Sequence, residues 1–280
     1  MTRTWLITGA SRGFGLALAR AALDDGEHVV ITARQPEQLR ELGDRYPDTA
    51  SRVALDVTDP AAAQAAVSSA LERFGGLDVV VNNAGYAISA AIEQTSLEDF
   101  RAQVETNFFG VLNVTQAALP VFRKQRSGHF IQFSSIGGRV GGSPGLGAYQ
   151  ASKFAVEGLS EVLNAEVKPF GVKVTIVEPG AFRTEWGGGL MGAVPVDPDY
   201  EQSVGEMNRF RESTFASWPG DPARAAKIIL DVSRLEQPPL RLLLGANAVL
   251  AATTSSAARQ AEAEQWAEVS RSADFPTDES

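Results

Sequence analysis

The sequence contains no cysteine and only two histidines, His28 and His129. The first absence rules out a disulfide framework, a thiolate nucleophile and any thiolate-held zinc or iron–sulfur cluster. The second leaves too few imidazoles for a histidine-rich metal centre, and a Ser-His-Asp triad would have to recruit one of the pair. Each histidine opens a β-like run, in Glu27-His28-Val29-Val30 and Gly128-His129-Phe130-Ile131, where a half-exposed structural imidazole is expected. Acid/base work in this chain is therefore expected to proceed without histidine and without a metal. Long apolar runs are also missing. Nothing approaches the ~20 residues that span a bilayer, and the nearest stretch, 240–252, is interrupted by Arg241, Gly245 and Asn247. The opening Met1-Thr2-Arg3-Thr4-Trp5-Leu6-Ile7-Thr8-Gly9 lacks the apolar region of a signal peptide, so a cytoplasmic protein is expected. Clustered positive charge is scarce too: Lys+Arg 25 against Asp+Glu 34 give a net charge of −9. The one basic cluster, Arg123-Lys124-Gln125-Arg126, suits the carboxyl end of a helix, and no nucleic-acid surface is expected.

What is present is an ordinary globular composition, 44% hydrophobic and 21% charged over 280 residues, long enough to bury a sizeable core. Short β-branched runs at 4–8, 28–32, 52–55, 78–81, 129–133, 172–177 and 240–244 alternate with helical patterns at 14–24, 60–74, 96–125, 149–168 and 221–235. Runs such as Val79-Val80-Val81 and Val174-Thr175-Ile176-Val177 are apolar throughout, as in strands covered on both faces. The alternation predicts a Rossmann-type, doubly wound, three-layer α/β fold around a parallel sheet of about seven strands. A single domain is expected over residues 1–280. Within it, 181–220 is too long for a plain connection and carries Trp186, Met191, Tyr200, Met207, Phe210, Phe215 and Trp218. Such a segment is expected to be a substrate lid with some helix of its own. Residues 246–280 read as a C-terminal extension, with a helix over 257–269 before the acidic end Thr277-Asp278-Glu279-Ser280 frays.

Directly after the first strand comes Thr8-Gly9-Ala10-Ser11-Arg12-Gly13-Phe14-Gly15, opening into a helix. Glycines there let the chain turn tightly, approach a pyrophosphate and pack a helix on the sheet. The helix start then offers free N–H groups and the positive end of its dipole to phosphate. A dinucleotide cofactor is expected on this placement. Where an NAD site sets a carboxylate after the second strand, this chain has Ala33 followed by Arg34, and Arg12 lies in the glycine loop. Two guanidiniums and a missing acid predict a 2′-phosphate, hence NADP(H) in preference to NAD(H).

A third cluster is Ser134-Ser135 followed by Tyr149-Gln150-Ala151-Ser152-Lys153. Tyr149 and Lys153 stand at i and i+4 of a predicted helix and share a face. A free phenol has a pKa of about 10, too high for proton exchange near neutrality, and a neighbouring ammonium is expected to lower it. Taken alone, the tyrosine–lysine spacing is also that of an ordinary surface pair.

Together these motifs resemble the short-chain dehydrogenase/reductase family, in its single-domain branch with the T-G-x-x-x-G-x-G loop, here Thr8 to Gly15. Further matches follow in order: Asp56-Val57, Asn82-Asn83-Ala84-Gly85, Asn107, Ser135, Tyr149 and Lys153, then Pro179-Gly180-Ala181-Phe182-Arg183-Thr184. The resemblance covers roughly residues 4–245. It implies that Tyr149 is the general acid in reduction and the base in oxidation. Lys153 would tune that phenol and hold the nicotinamide ribose, Ser135 rather than Ser134 would bind the substrate oxygen, and Asn107 would hold a water leading to Lys153, a role compatible with its other reading as a helix-kinking core asparagine. It further implies nucleotide contacts from Gly9, Ser11, Arg12, Gly13, Phe14, Gly15 and Arg34. Asp56 and Val57 would meet the adenine, Asn83, Ala84 and Gly85 the adenosine-side ribose, and Pro179, Gly180, Phe182 and Thr184 the nicotinamide.

The implied reaction is hydride transfer between NADP(H) and a ketone or aldehyde and its alcohol. Ile136, Val140 and the aromatic 181–220 segment fit an apolar pocket for a hydrophobic substrate, as in carbonyl reductases or hydroxysteroid dehydrogenases, and fit equally a small core of the segment's own or a subunit contact. A homodimer or homotetramer is implied by resemblance alone. Two other readings are a non-catalytic NADP(H) sensor and a sugar-nucleotide epimerase or dehydratase. The intact Ser135, Tyr149, Lys153 and Asn107 set weighs against the first, and the spacing of Gly9, Gly13 and Gly15 against the second.

Overall fold

The structure, a computed structural model, describes residues 2–185 and 192–275. Trp186, Met191 and the acidic end 277–280 lie outside the described residues. The strands are β1 (Thr4–Ile7), β2 (His28–Ala33), β3 (Ala50–Ala54), β4 (Val79–Asn82), β5 (Ile88–Ser89), β6 (Gly128–Phe133), β7 (Val172–Pro179), β8 (Gly192–Ala193) and β9 (Arg241–Leu244). The helices are α1 (Gly13–Asp24), α2 (Arg40–Arg45), α3 (Pro60–Phe74), α4 (Leu97–Val104), α5 (Gly110–Gln125) and α6 (Ile136–Arg139), then α7 (Gly147–Val167), α8 (Glu206–Thr214), α9 (Pro222–Val232), α10 (Ala246–Gln265) and α11 (Ala267–Arg271). Seven strands form one sheet in the order β3-β2-β1-β4-β6-β7-β9, and every neighbouring pair is parallel. The predicted Rossmann-type α/β fold is what the chain adopts.

The apolar strand runs divide by parity, because successive side chains point to opposite faces. Trp5, Ile7, Val79 and Val81 face one side, against Leu18 and Ala22 of α1 and Ala226 and Ile229 of α9. Leu6, Val80 and Phe130 face the other, against Ala66 and Val67 of α3, Val114 and Phe122 of α5 and Leu163 of α7. Helix starts are set by short polar side chains that accept backbone N–H bonds: Asp59 from Ala61 before α3 and Asp221 from Ala223 before α9, each at 2.8 Å and each followed by proline.

Three local expectations change. The helix predicted over 96–125 is interrupted by a π turn at Glu105–Phe109 that separates α4 from α5. The wider turn brings Asn107 fully inside, at 0% exposure, a placement that functional sites often use. The C-terminal helix begins at Ala246 rather than 257, and only Ala248 and Ala252 of α10 are buried. Of the two histidines, His28 is half-buried and stacks on Phe74 with ring centroids 4.5 Å apart. His129 is buried rather than half-exposed, because β6 lies between β4 and β7. Among the described residues no helix is long and apolar enough to cross a membrane.

Candidate active site

In the strand order, β1 leads through β2 to β3 on one side and β4 leads through β6 to β7 on the other. This reversal opens a crevice at the carboxyl ends of the strands, where α/β sheets bind ligands. The motifs at 8–15, 56–57, 82–85, 134–135 and 179–184 all lie at or just after strand ends there. After β1 the chain turns at Gly9, with φ +65°, and again at Gly13, with φ +55°, both in the left-handed region that favours glycine. Thr8 and Asn83 hold this loop. Thr8 Oγ1 accepts the N–H groups of Asn83 and Ala84 at 2.9 and 3.0 Å, and Asn83 Nδ2 donates to Thr8 O and Gly9 O at 2.9 and 3.1 Å. The Asn83 Nδ2 thus fixes the glycine loop, with Ala84 and Gly85 following in the same turn.

No side chain caps the start of α1, where Arg12 is extended. Its first N–H groups are the donors a phosphate needs. Ser11 is half-buried at this start, and the Phe14 ring points back into the core, between Phe133 at 5.5 Å and Phe182 at 5.0 Å. A side chain at Gly15 would place its Cβ 2.2 Å from Gly9 O and 2.6 Å from Asn83 Nδ2. Because the first of these is backbone and cannot swing aside, Gly15→Ala is expected to cost about 1–3 kcal/mol of stability and to weaken dinucleotide binding. Thermal melts with and without the nucleotide measure both; an unchanged melting temperature and affinity would show that the loop tolerates the methyl.

Ala33 ends β2 and is buried, whereas Arg34 and Arg12 are exposed, and neither makes an ion pair among the described residues. Asp56 is exposed, its carboxylate accepting from Thr58 N and Oγ1 at 3.0 and 2.8 Å. Val57 is buried against Gly110, whose Cβ would meet Val57 Cγ2 at 2.5 Å. On the other side of the crevice Pro179 ends β7, and Thr184 lies over the glycine loop, 3.6 Å from where a Gly13 Cβ would stand. Phe182 is buried against Gly220, and Gly180 leaves room for Asn247 of α10. The glycine loop and the 179–184 loop therefore face one another across the strand ends.

Deeper in the crevice the residues expected to do the acid/base work come together. Tyr149 and Lys153 lie on α7, 8% and 5% exposed, and the Lys153 ammonium sits 5.9 Å from the centre of the Tyr149 ring. Lys153 Nζ donates to Phe133 O at 2.7 Å, which anchors it to the end of β6. Ser135, the next residue but one, caps α6 by accepting from Gly137 N at 3.0 Å and is the serine bonded to Tyr149. Ser134 is instead buried under Gly138, where a Cβ would lie 2.4 Å from its Oγ. Asn107 donates to Tyr86 O at 2.9 Å and Ser152 Oγ at 3.1 Å and accepts from Tyr86 N at 3.0 Å. Its amide thus pins the chain after β4 to α7, while Gly85 keeps the space between Asn107 and Lys153 open.

The electrostatics differ from the expected lowering of the phenol. Burial pushes Tyr149 up to about 12, and the bond to Ser135 opposes this. Burial likewise pulls Lys153 down to about 8, against the attraction of Glu157. One of the lysine's donors goes to the Phe133 carbonyl oxygen. Of the expected lid, Phe215 and Trp218 pack on each other at 5.3 Å as a small core of their own, while Phe210 is 61% exposed. Arg211 of α8 donates to Ser143 Oγ and Pro144 O, both at 2.7 Å, tying this segment to the loop between Ser135 and Tyr149. Sequence reading missed that clasp, since no motif marks it.

Comparison with known proteins accords with this geometry. The family model for short chain dehydrogenases matches residues 3–191. Oxidoreductase BOA17 of Botryotinia fuckeliana is 47% identical over 96% of this chain and 98% of its own length. A short-chain dehydrogenase from Streptomyces avermitilis superposes with a TM-score of 0.89 at 42% identity, covering 98% of this chain and 100% of that one. ElxO, solved with NADP bound, gives a TM-score of 0.73 at 27% identity over 87% of this chain and 97% of its own. The chain belongs to the short-chain dehydrogenase/reductase family, oxidoreductases that use a nicotinamide cofactor on alcohol or carbonyl groups.

Proposed function

We propose that this protein is an NADP(H)-dependent carbonyl reductase, interconverting a hydrophobic ketone or aldehyde and its alcohol. The observation that carries the reading is the joining of Ser135, Tyr149 and Lys153 at the end of β6, opposite the uncapped start of α1. The cofactor fits the residues present: the crevice has free N–H donors for its pyrophosphate and glycines where side chains would fill the space. Gly9, Ser11, Gly13, Phe14 and Gly15 would hold the pyrophosphate through their backbone. Arg12 and Arg34 would take the 2′-phosphate, with Asp56 and Val57 at the adenine and Ala84 and Gly85 at the adjoining ribose. Pro179, Gly180, Phe182 and Thr184 would border the nicotinamide, whose ribose hydroxyls Lys153 would hold.

When bound, the nicotinamide supplies or accepts the hydride. In reduction Ser135 Oγ and Tyr149 Oη donate hydrogen bonds to the carbonyl oxygen, stabilising the charge that grows on it. Tyr149 then gives up its proton to that oxygen, and in oxidation the steps reverse. A phenol held near 12 keeps its proton at neutral pH, so the free protein is loaded for reduction. Asn107 fixes the turn and α7 on which these groups stand. The exposed Phe109, Phe154 and Val162 fit the contact of a homodimer or homotetramer, which solution mass would test.

Following the absorbance of NADPH and of NADH against ketones, aldehydes and secondary alcohols tests the whole reading. Oxidation of NADPH by apolar carbonyls is expected; tight cofactor binding with no turnover on any of them would overturn it. The cofactor choice has its own test. Each charge-assisted bond to a phosphate is worth about 2 kcal/mol, so Arg34→Ala is expected to weaken NADPH roughly 30-fold and leave NADH unchanged. Equal losses for both cofactors would remove Arg34 from the 2′-phosphate site.

A further inference from the structure

Behind Lys153 lies a group of charged residues that the proposed reaction does not use. Glu157 stands one helical turn beyond Lys153 on α7, and Glu178 stands on β7 immediately before Pro179. They are 7% and 0% exposed. Arg241 of β9 donates from Nε to Glu157 Oε2 at 3.1 Å and approaches Glu178 Oε1 at 3.3 Å. Arg139 of α6 reaches the same Glu178 oxygen at 3.5 Å. One oxygen of each carboxyl remains: Glu157 Oε1 and Glu178 Oε2 are buried and have no donor. The two carboxyls are brought side by side by the Arg241 Nε, which lies between Glu157 Oε2 and Glu178 Oε1. Ionised carboxylates offer each other only lone pairs and repel at contact. A single proton placed between them supplies the donor that both oxygens lack.

We propose that Glu157 and Glu178 hold one shared proton between these two oxygens, and that its presence or loss sets the charge state of Lys153. The pair is a positioning element that acts through the lysine. It joins the elements that carry the site, because α6 starts at Ser135, α7 bears Tyr149 and Lys153, and β7 runs into Pro179 and Gly180. The charged groups that face it are Lys153 and Glu161 of α7, Arg139 of α6 and Arg241 of β9, whose outer nitrogen bonds Glu161. Burial and the charge of Glu157 push Glu178 up to about 7, against the pull of Arg139 and Arg241. Lys153 is lowered by burial to about 8, and Glu157, one helical turn away, opposes that lowering. The titrations are therefore linked: as the shared proton leaves, negative charge beside Lys153 increases and the ammonium is retained at a pH where burial alone would remove it.

The consequence for turnover rests on the role proposed for Lys153, but the test is made on the free protein and needs no substrate. With glutamate labelled in its carboxyl carbon, one carboxyl is expected to stay protonated at about pH 6, where ordinary carboxylates are ionised. That signal is expected to vanish in Glu178→Gln, whose amide can donate to Glu157 without titrating. The chain has five lysines, so the side-chain signals of Lys153 are separable and are identified by their loss in Lys153→Met. In Glu157→Gln the Lys153 midpoint is expected to fall by about one unit. In Glu178→Gln it is not expected to fall, since the carboxyl one helical turn from Lys153 is still present. A purely structural role would lower the melting temperature of both variants and leave the lysine midpoint unmoved. Absence of any protonated carboxyl at about pH 6 in the wild-type protein, which depends on no variant folding, would overturn the proposal. So would an unmoved Lys153 midpoint in a folded Glu157→Gln protein. A protein that reduced no carbonyl would leave both spectroscopic results standing.

Discussion

Replacing Tyr149 by phenylalanine is expected to lower turnover by roughly 10²–10⁴-fold, the usual value of a positioned general acid, while nucleotide affinity and fold stay nearly intact. The ring is buried beside Lys153, which stands 5.9 Å from its centre, and phenylalanine keeps both the volume and that contact. What is lost is the hydroxyl and its bond to Ser135. Ser135 still caps α6 through Gly137 N, and Lys153 still donates to Phe133 O, so the remaining groups keep their places. The expected signature is thus a fall in kcat with little change in cofactor Kd, read by steady-state rates beside a nucleotide fluorescence titration and a thermal melt. Near-normal rates in the variant would remove Tyr149 from the chemistry. A parallel loss of nucleotide binding would show that the hydroxyl organises the crevice.

Much of this site was legible because its chemistry depends on local spacing. Strand parity follows from runs such as Val79-Val80-Val81, whose residues divide between the two core faces, and the glycines after β1 are dictated by contacts that any Cβ would violate. The helical spacing of Tyr149 and Lys153 also held. Spacing does not reveal what a buried group bonds to once the chain closes on itself. The Nδ2 of Asn83 bonds the glycine loop. The Lys153 ammonium donates to Phe133 O, and burial is the largest influence on the phenol beside it, raising it. A kink at a buried Asn107 was legible, but not its form as a π turn: the 96–125 pattern is helical throughout, and the extra residue in one turn is stabilised by Tyr86 and Ser152, both distant in sequence. Arg241 and Glu178 likewise meet only because β9 pairs with β7.

The second histidine, which the chemistry does not need, is expected to govern the protein's response to acid. His129 is 3% exposed. Its Nε2 meets Thr175 Oγ1 at 2.9 Å, and because that hydroxyl donates to Pro239 O, the imidazole is the donor of the pair. The proton then sits on Nε2, and Nδ1 is buried without a partner. A second proton must enter at Nδ1, and burial, with Lys173 and Arg3 nearby, lowers the pKa to about 4 although the Ser233 carbonyl would welcome the new donor. In the unfolded chain the imidazole titrates near 6.5. Between these values the unfolded state binds more protons than the folded one, so stability falls as pH falls through that window. At 1.36 kcal/mol per unit, the loss from about pH 7 to about pH 4 amounts to roughly 3 kcal/mol from this one side chain. His129→Gln retains a donor for Thr175 and cannot take up the proton. Urea unfolding at both pH values is expected to show the wild-type protein losing about 3 kcal/mol more than the variant. Equal acid losses in the two proteins would mean that the imidazole is protonated in the native fold and that Ser233 already accepts its second hydrogen.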